Sequence, residues 1–396
     1  MTCVGFMTKF AVFGWVTAIF FLFIYSFTQI DLGLTLTRLS FWQVIQTDFQ
    51  KIGYFNRPLS TALFLLIIFM LYVLYFLILH QIKRGNLTEK VIWRLIIFTA
   101  VLLWFSYNAF SYDLFNYIMD AKMVTFYGKN PYTHKALDFP GDPMLGFMHW
   151  THRYYPYGPL WLLVTIPLSF LGFQKLLPTM ILFKGLAIAS YLVCSFFVYK
   201  ILEKTSPNDK FLGLTIFSFN PLVVIESLVS AHNDVLMMAL VLVAFWFLLK
   251  KKYLTAWFFL FFSGGIKFVT FSLIPVFVLI IWNQRRKTII WWEKMAFLCL
   301  SLMIGAVLLA IKRDELKPWY ILYPLTFLPF LPYNWIFWPI TGLSLGALLH
   351  YAPFLYLGNW NPPVPSIKFW LTIGFLLAGF LLGLGRKLLK RKIMVK

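Results

Sequence analysis

Apolar runs of about 17–25 residues recur from one end of the chain to the other. At about 1.5 Å per residue each is long enough, as a helix, to cross a hydrocarbon core of roughly 30 Å. A backbone in lipid must satisfy its own hydrogen bonds, so helices and closed barrels are the only spanning structures. Barrel strands would be shorter and would alternate polar with apolar residues. Of the 396 residues 61% are hydrophobic and 12% charged, more apolar than a water-soluble surface tolerates. The expected fold class is an all-α polytopic membrane protein. Its first run, Phe10 to Thr28, exceeds a signal-peptide core and reads as a retained helix.

Spans are expected at 7–29, 58–81, 95–112, 159–173, 177–200, 211–227, 235–250, 253–266, 268–283, 289–311, 319–333, 335–356 and 368–385. No soluble domain fits between them. The net charge of +21 would suggest nucleic acid in a soluble protein, but here the basic residues sit in short loops, the pattern of positive-inside topology. Lys83, Arg84, Lys90 and Arg94 against Glu89 leave +3, and Arg386, Lys387, Lys390, Arg391, Lys392 and Lys396 leave +6 in the tail. Both segments are expected on the cytoplasmic side. Loop 113–157 is balanced, with Lys122, Lys129, Lys135 and Arg153 against Asp113, Asp120, Asp138 and Asp142, and is expected outside. Counting crossings from there conflicts with an inward Lys200–Lys210 unless 159–173 or 177–200 fails to cross. The shorter one opens with Pro156, Gly158 and Pro159 and reads as re-entrant or strongly tilted. The pair 253–266 and 268–283, broken at Gly264-Gly265, can likewise meet within the membrane.

That outward loop concentrates scarce carboxylates, holding four of the 14 Asp and Glu residues. Asp113 follows an apolar span, where partial desolvation raises carboxylate basicity and suits it to accept a hydroxyl proton. Asp120 is two helical turns further on and shares its face if 113–127 is a helix. The alternative is that Asp113 only caps that helix. From Gly128 to Tyr132, GKNPY breaks any helix. His149, His152 and Arg153 precede Tyr154-Tyr155-Pro156-Tyr157-Gly158-Pro159-Leu160, joining cations and tyrosines able to hold a phosphate and a sugar; aromatic residues also simply line membrane interfaces. His149 and His152 have helical metal-ligand spacing but no clear third ligand.

A second group is Asn220-Pro221, Glu226 and Ala231-His232-Asn233-Asp234. Glu226 is costly to leave ionised between apolar neighbours. The three polar residues either cap the next helix or line an acceptor or donor pocket. Lys267, alone between apolar runs, either meets an anionic partner or snorkels to the interface. Lys312-Arg313-Asp314-Glu315 and Lys317-Pro318-Trp319-Tyr320 form another charged entry to an aromatic helix.

In this order, these elements resemble the GT-C superfamily of integral-membrane glycosyltransferases, particularly bacterial polyprenyl-phosphate-mannose-dependent mannosyltransferases, over about residues 95–330. Joined to the span count, the resemblance gives the expectation of a GT-C-like bundle of about 11–13 transmembrane helices with an outward juxtamembrane-helix loop. It also implies an acidic catalytic base in the first large outward loop, a lipid-phosphate sugar donor and inversion at the anomeric carbon. Asp113 matches the base, with Asp120 second. Donor-binding candidates are Arg153, Lys267, Tyr155, Tyr157 and His152; pocket or acceptor candidates are His232, Asn233, Asp234 and Glu226. Family members often pair acids here, whereas Leu114 follows Asp113, so a divalent metal is neither required nor excluded and no metal ligand is assigned. The division expected is an amino-terminal two-helix unit at 1–94, a catalytic core at 95–330 and carboxy-terminal helices with a basic tail at 331–396. The resulting expectation is an enzyme of the cell membrane, transferring a hexose, mannose first, on the extracytoplasmic face. Its partners would be a polyprenyl-phosphate sugar, a glycan, lipid or protein acceptor and membrane lipids, with no nucleic acid. The competing class is a transporter or flippase of a lipid-linked or anionic substrate, with Glu226 and Lys267 as midplane residues.

Overall fold

Helices account for all regular structure among the described residues, which in this computed structural model are 3–312, 315–331 and 333–394. Arg313, Asp314 and Lys396 lie outside them. The α-helices in chain order are α1 (Cys3–Ser26), α2 (Ser40–Gln50), α3 (Arg57–Lys83), α4 (Glu89–Trp104), α5 (Asp113–Thr125), α6 (Pro159–Leu171), α7 (Leu176–Thr205), α8 (Lys210–Ser218), α9 (Pro221–Val224), α10 (Asp234–Leu249), α11 (Tyr253–Gly264), α12 (Ile274–Arg285), α13 (Trp292–Ile311), α14 (Leu322–Phe327), α15 (Asn334–Leu348), α16 (Tyr351–Leu357) and α17 (Val364–Met394). Among the described residues seven helical stretches are long and apolar enough to cross a membrane: Gly5–Gln29, Arg57–Lys83, Leu176–Thr205, Phe268–Arg285, Trp292–Ile311, Asn334–Leu357 and Val364–Arg386. An eighth is bent by 56° between Pro207–Ser218 and Pro221–Val229, and α6, α10 and α11 are shorter apolar helices. The chain is a polytopic all-α membrane protein.

Where the expected spans and the helices differ, local chemistry explains it. The run 95–112 stops being helical at Trp104. Beyond it the backbone is tied off by polar side chains: Tyr107 N–H donates to Ser26 Oγ at 2.9 Å, and Asn108 donates to the Ser111 carbonyl. The run 211–227 breaks at Asn220-Pro221. Proline lacks an N–H and pushes the preceding residue out of helical angles, so Asn220 becomes a cap, its side chain accepting from Leu222 N–H at 3.0 Å. A π-helical turn, Ile225–Val229, follows and carries Glu226 inward. One of its carbonyls, that of Val229, accepts from the fully buried Lys184 of α7 at 3.2 Å, while Ser106 receives the same ammonium at 2.8 Å. Segment 319–333 is no continuous span. Pro318, Pro324 and Pro329 divide it into two 3₁₀ turns around α14, all packed inside the bundle. The helix α2 was not foreseen; Gln46 and Gln50 tether it to the carbonyls of Leu34, Ile30 and Asp31.

Helix α6, with 13 residues, covers only about 20 Å. Its start is clamped to the break after α11: Gly158 N–H donates to the Ile266 carbonyl at 2.9 Å and Leu160 N–H to the Gly265 carbonyl at 3.0 Å. Glycine is required for this approach, because a Cβ on Gly158 would stand 2.1 Å from the Gly265 carbonyl oxygen. The clamp brings Tyr157 and Lys267 together, with the ammonium 5.4 Å from the ring centroid.

Candidate active site

Asp113 is the first residue of α5, following the N-cap Tyr112, and its N–H is held by Ser111 Oγ at 3.2 Å. The capping position is therefore not its own. The carboxylate, 15% exposed, looks instead across the bundle toward His232, whose Nδ1 lies 3.7 Å from Asp113 Oδ2. Seven residues on, Asp120 falls on the same face, as helical periodicity requires. Both line one cavity of about 370 Å³, together with Asn116, Arg153, Tyr157, Lys267, Lys317 and the aromatic rings of Trp150, Trp319, Tyr320 and Tyr323.

The remaining loop is pinned to the end of α5. Asp142, its side chain fully buried, pairs with Lys122 at 2.6 Å and accepts from Tyr127 Oη at 2.8 Å and Met144 N–H at 2.9 Å. On the far side, Lys267 pairs with Asp234 at 2.7 Å, and Tyr323 donates to the other oxygen of Asp234 at 2.5 Å. The expectation that Lys267 needs an anionic partner is met within the protein. Arg153 lies over Trp150, 4.1 Å from the ring centroid, and has no ion pair among the described residues. Lys317 enters the cavity beside Glu315, which it meets at 2.8 Å.

The candidates divide into three places. Asp113, Asp120, Arg153, Tyr157 and Lys267 line the cavity. Glu226, His232, Asn233 and Asp234 lie fully buried behind it, reaching it through Asp113 and Lys267. Tyr155 and His152 do not line it: the Tyr155 hydroxyl is spent on the Gly158 carbonyl at 3.0 Å, and His152 is exposed. His149 stacks on Tyr112 at 3.5 Å, near Asp31, and no group of three potential metal ligands occurs among the described residues. Tyr323 and Tyr351 were missed. Nothing local marks them, since their partners Asp234 and Glu226 are 89 and 125 residues away in the chain.

Burial pushes the Asp113 carboxyl up to about 6, with Lys267 pulling the other way. Burial, and after it repulsion from Asp113, pushes Asp120 well above the usual carboxylate range. For His232, burial and then Lys267 press toward the neutral ring. The cavity thus joins an acid able to act as a base near neutral pH with cations and aromatic walls, which is what transfer of a sugar from an anionic leaving group needs.

The profile of one protein family, described as Alpha-(1->6)-mannopyranosyltransferase, N-terminal domain, matches residues 19–284. The chain belongs to this mannosyltransferase family. The family is of GT-C type, and the protein is accordingly a membrane glycosyltransferase that transfers mannosyl groups. The matched region of this mannosyltransferase begins inside α1 and ends in α12, so it holds Asp113, Asp120, Arg153, His232, Asp234 and Lys267 but not Lys317 or Tyr323. The chain matches no curated protein and no protein of solved structure.

Proposed function

We propose that the protein transfers mannose from a polyprenyl-phosphate donor to an acceptor hydroxyl on the extracytoplasmic face, in a single displacement that inverts the anomeric carbon. Asp113 takes the proton from the acceptor hydroxyl as its oxygen bonds to the anomeric carbon. The bond from that carbon to the phosphate oxygen breaks, and the phosphate leaves with the electron pair. Arg153, Lys267 and Lys317 face the phosphate, and Tyr157 and Trp319 the sugar. The observation that carries this reading is that one cavity is lined by both a carboxylate of raised basicity and those cations.

Two further features support it. Phe268, Val269 and Ala310 line the cavity at the ends of the membrane-crossing stretches Phe268–Arg285 and Trp292–Ile311, where an apolar tail can pass from the site into lipid. The balanced charge of loop 113–157, four basic residues against four aspartates where segment 83–94 and the tail are net basic, supports an outward site.

The test is mannosyl transfer by purified, reconstituted enzyme supplied with polyprenyl-phosphate mannose. Asp113→Asn keeps the shape and removes the proton acceptor, so donor binding survives while turnover falls by about 10²–10⁴-fold. Asp120→Asn costs less. Parental turnover in Asp113→Asn would remove the base from this position, and transfer from a nucleotide sugar instead would remove the lipid donor.

A further inference from the structure

Behind Asp113 lies a line of buried polar groups that ends nowhere near solvent. His232 is fully buried and stacked on Trp319, with ring centroids 4.0 Å apart. Its Nδ1 faces Asp113 Oδ2 at 3.7 Å and its Nε2 faces Glu226 Oε2 at 3.2 Å. Glu226, also fully buried, accepts from Tyr351 Oη through its other oxygen at 2.9 Å. Neither ring nitrogen, nor Glu226 Oε2, completes a hydrogen bond among the described residues. Unspent buried polar atoms of this kind are rare, and here three of them converge.

Hydrogen-bond valence narrows what the trio can be. A neutral imidazole has one N–H and one lone pair, so between two carboxyl groups it donates to one and accepts from the other. It can accept only from a carboxyl that carries a proton. If Asp113 is the base it must be ionised, so the proton rests on Glu226 and the ring proton on Nδ1.

We propose that His232 is a positioning residue for Asp113, donating from Nδ1 to Asp113 Oδ2, with its tautomer set by the neutral carboxyl of Glu226 donating to Nε2. The inference rests on the reading of Asp113 as the base. Donation to Oδ2 holds the carboxylate ionised and turns Oδ1 to the acceptor. The 3.7 Å gap is an open form that shortens when substrate fills the cavity, as catalytic hydrogen bonds often do. The proton taken from the acceptor ends on Asp113 and leaves to water through the cavity; His232 and Glu226 keep theirs throughout. The arrangement has the logic of an acid–histidine pair in which the buried acid fixes the tautomer, but with the acid neutral and the second acid as the base.

The charged and titratable groups around the Asp113 carboxylate are His232, Asp234 and Glu226 behind it, and Lys267, Arg153 and Lys317 across the cavity. Asp120 and Tyr117 lie on its own helix, and Tyr157 and Tyr351 complete the set. All of them stay in place in the variants that decide the matter, save the one replaced.

The experiment is the pH dependence of kcat and kcat/KM for mannosyl transfer in reconstituted enzyme, with donor polyprenyl-phosphate mannose. His232→Phe keeps the stack on Trp319 but has no donor: kcat falls about 10- to 100-fold, and the acid limb of kcat/KM moves up by about one pH unit as Asp113 loses its hydrogen bond. His232→Asn returns an N–H near the Nδ1 position and restores both. Glu226→Gln, a neutral donor like the protonated acid, stays within about threefold of the parent with the limb unmoved, whereas Glu226→Leu behaves like His232→Phe. The KM for donor is unchanged throughout, since neither residue touches substrate. An unmoved acid limb in His232→Phe, or Glu226→Gln as damaged as Glu226→Leu, overturns the inference. If Asp113→Asn is inactive while His232→Phe is parental, this inference alone fails; if Asp113→Asn is itself fully active, the base assignment fails first.

Discussion

The buried pair of Asp234 and Lys267 offers the most direct physical test of how the site is held. Asp234 is fully buried and accepts from Lys267 Nζ at 2.7 Å and Tyr323 Oη at 2.5 Å. At an effective dielectric constant of about 20, charges at that separation attract by about 6 kcal/mol before the cost of desolvating them. Removing one partner of such a pair costs about 3–5 kcal/mol, because the other charge is left buried. The Lys267 side chain is 17% exposed on the cavity and regains some hydration, which places Asp234→Asn near the lower end, about 3 kcal/mol. Lys267→Met leaves a carboxylate that still has Tyr323. The double variant Asp234→Asn with Lys267→Met buries no unpaired charge and should return to within about 1 kcal/mol of the parent. A double-mutant cycle by reversible unfolding in mixed detergent micelles, followed by helicity, measures this. The expected coupling is at least about 2 kcal/mol; single costs that add to within about 0.5 kcal/mol would show that the two charges do not support each other and refute the reasoning.

Gly158→Ala should destabilise by about 1–3 kcal/mol or more and abolish transfer, since the new Cβ meets a backbone carbonyl at 2.1 Å. Gly305→Ala, where nothing lies within 4 Å, is the control for both thermal midpoint and activity. Burial by itself would raise the Asp142 carboxyl, but Lys122, Met144 N–H and Tyr127 hold it below its ordinary value of 3.8. Its contribution to loop order is therefore present above that value and lost as pH falls below it. Asp142→Asn should speed proteolytic cleavage within 128–150 at neutral pH, as acidification does in the parent. Asp113, raised from 3.8 to about 6, takes up its proton in the folded state first, so its effect on stability runs the other way, with stability lost as pH rises between those values. Activity does the opposite, falling as pH drops below about 6. A pH–rate profile without that acid limb would show that another group is the base.

Much of this was legible in the chain because its signals are local. Span-length apolar runs dictate an all-helical membrane protein, since no other backbone satisfies itself in lipid. Helical period places Asp113 and Asp120 on one face, and the glycines and prolines at 156–159 and 264–265 mark the breaks that the structure clamps together. Loop 113–157 stood out because it gathers carboxylates that are scarce elsewhere. Other features depend on which helices meet, and no periodicity records that. Lys267 called for an anionic partner or a path to the interface, and packing supplied Asp234. His232 looked like part of a cap or pocket until the bend at Asn220-Pro221 and the π turn carried it between Asp113 and Glu226. Tyr351 reaches Glu226 from 125 residues away, and its neighbourhood in the chain is as apolar as many others. A buried polar atom takes whatever partner the tertiary fold brings within about 3 Å. The sequence therefore determined the kind of structure and the chemistry available to it, and only the packing of distant helices decided which charges neutralise one another and which remain free to act.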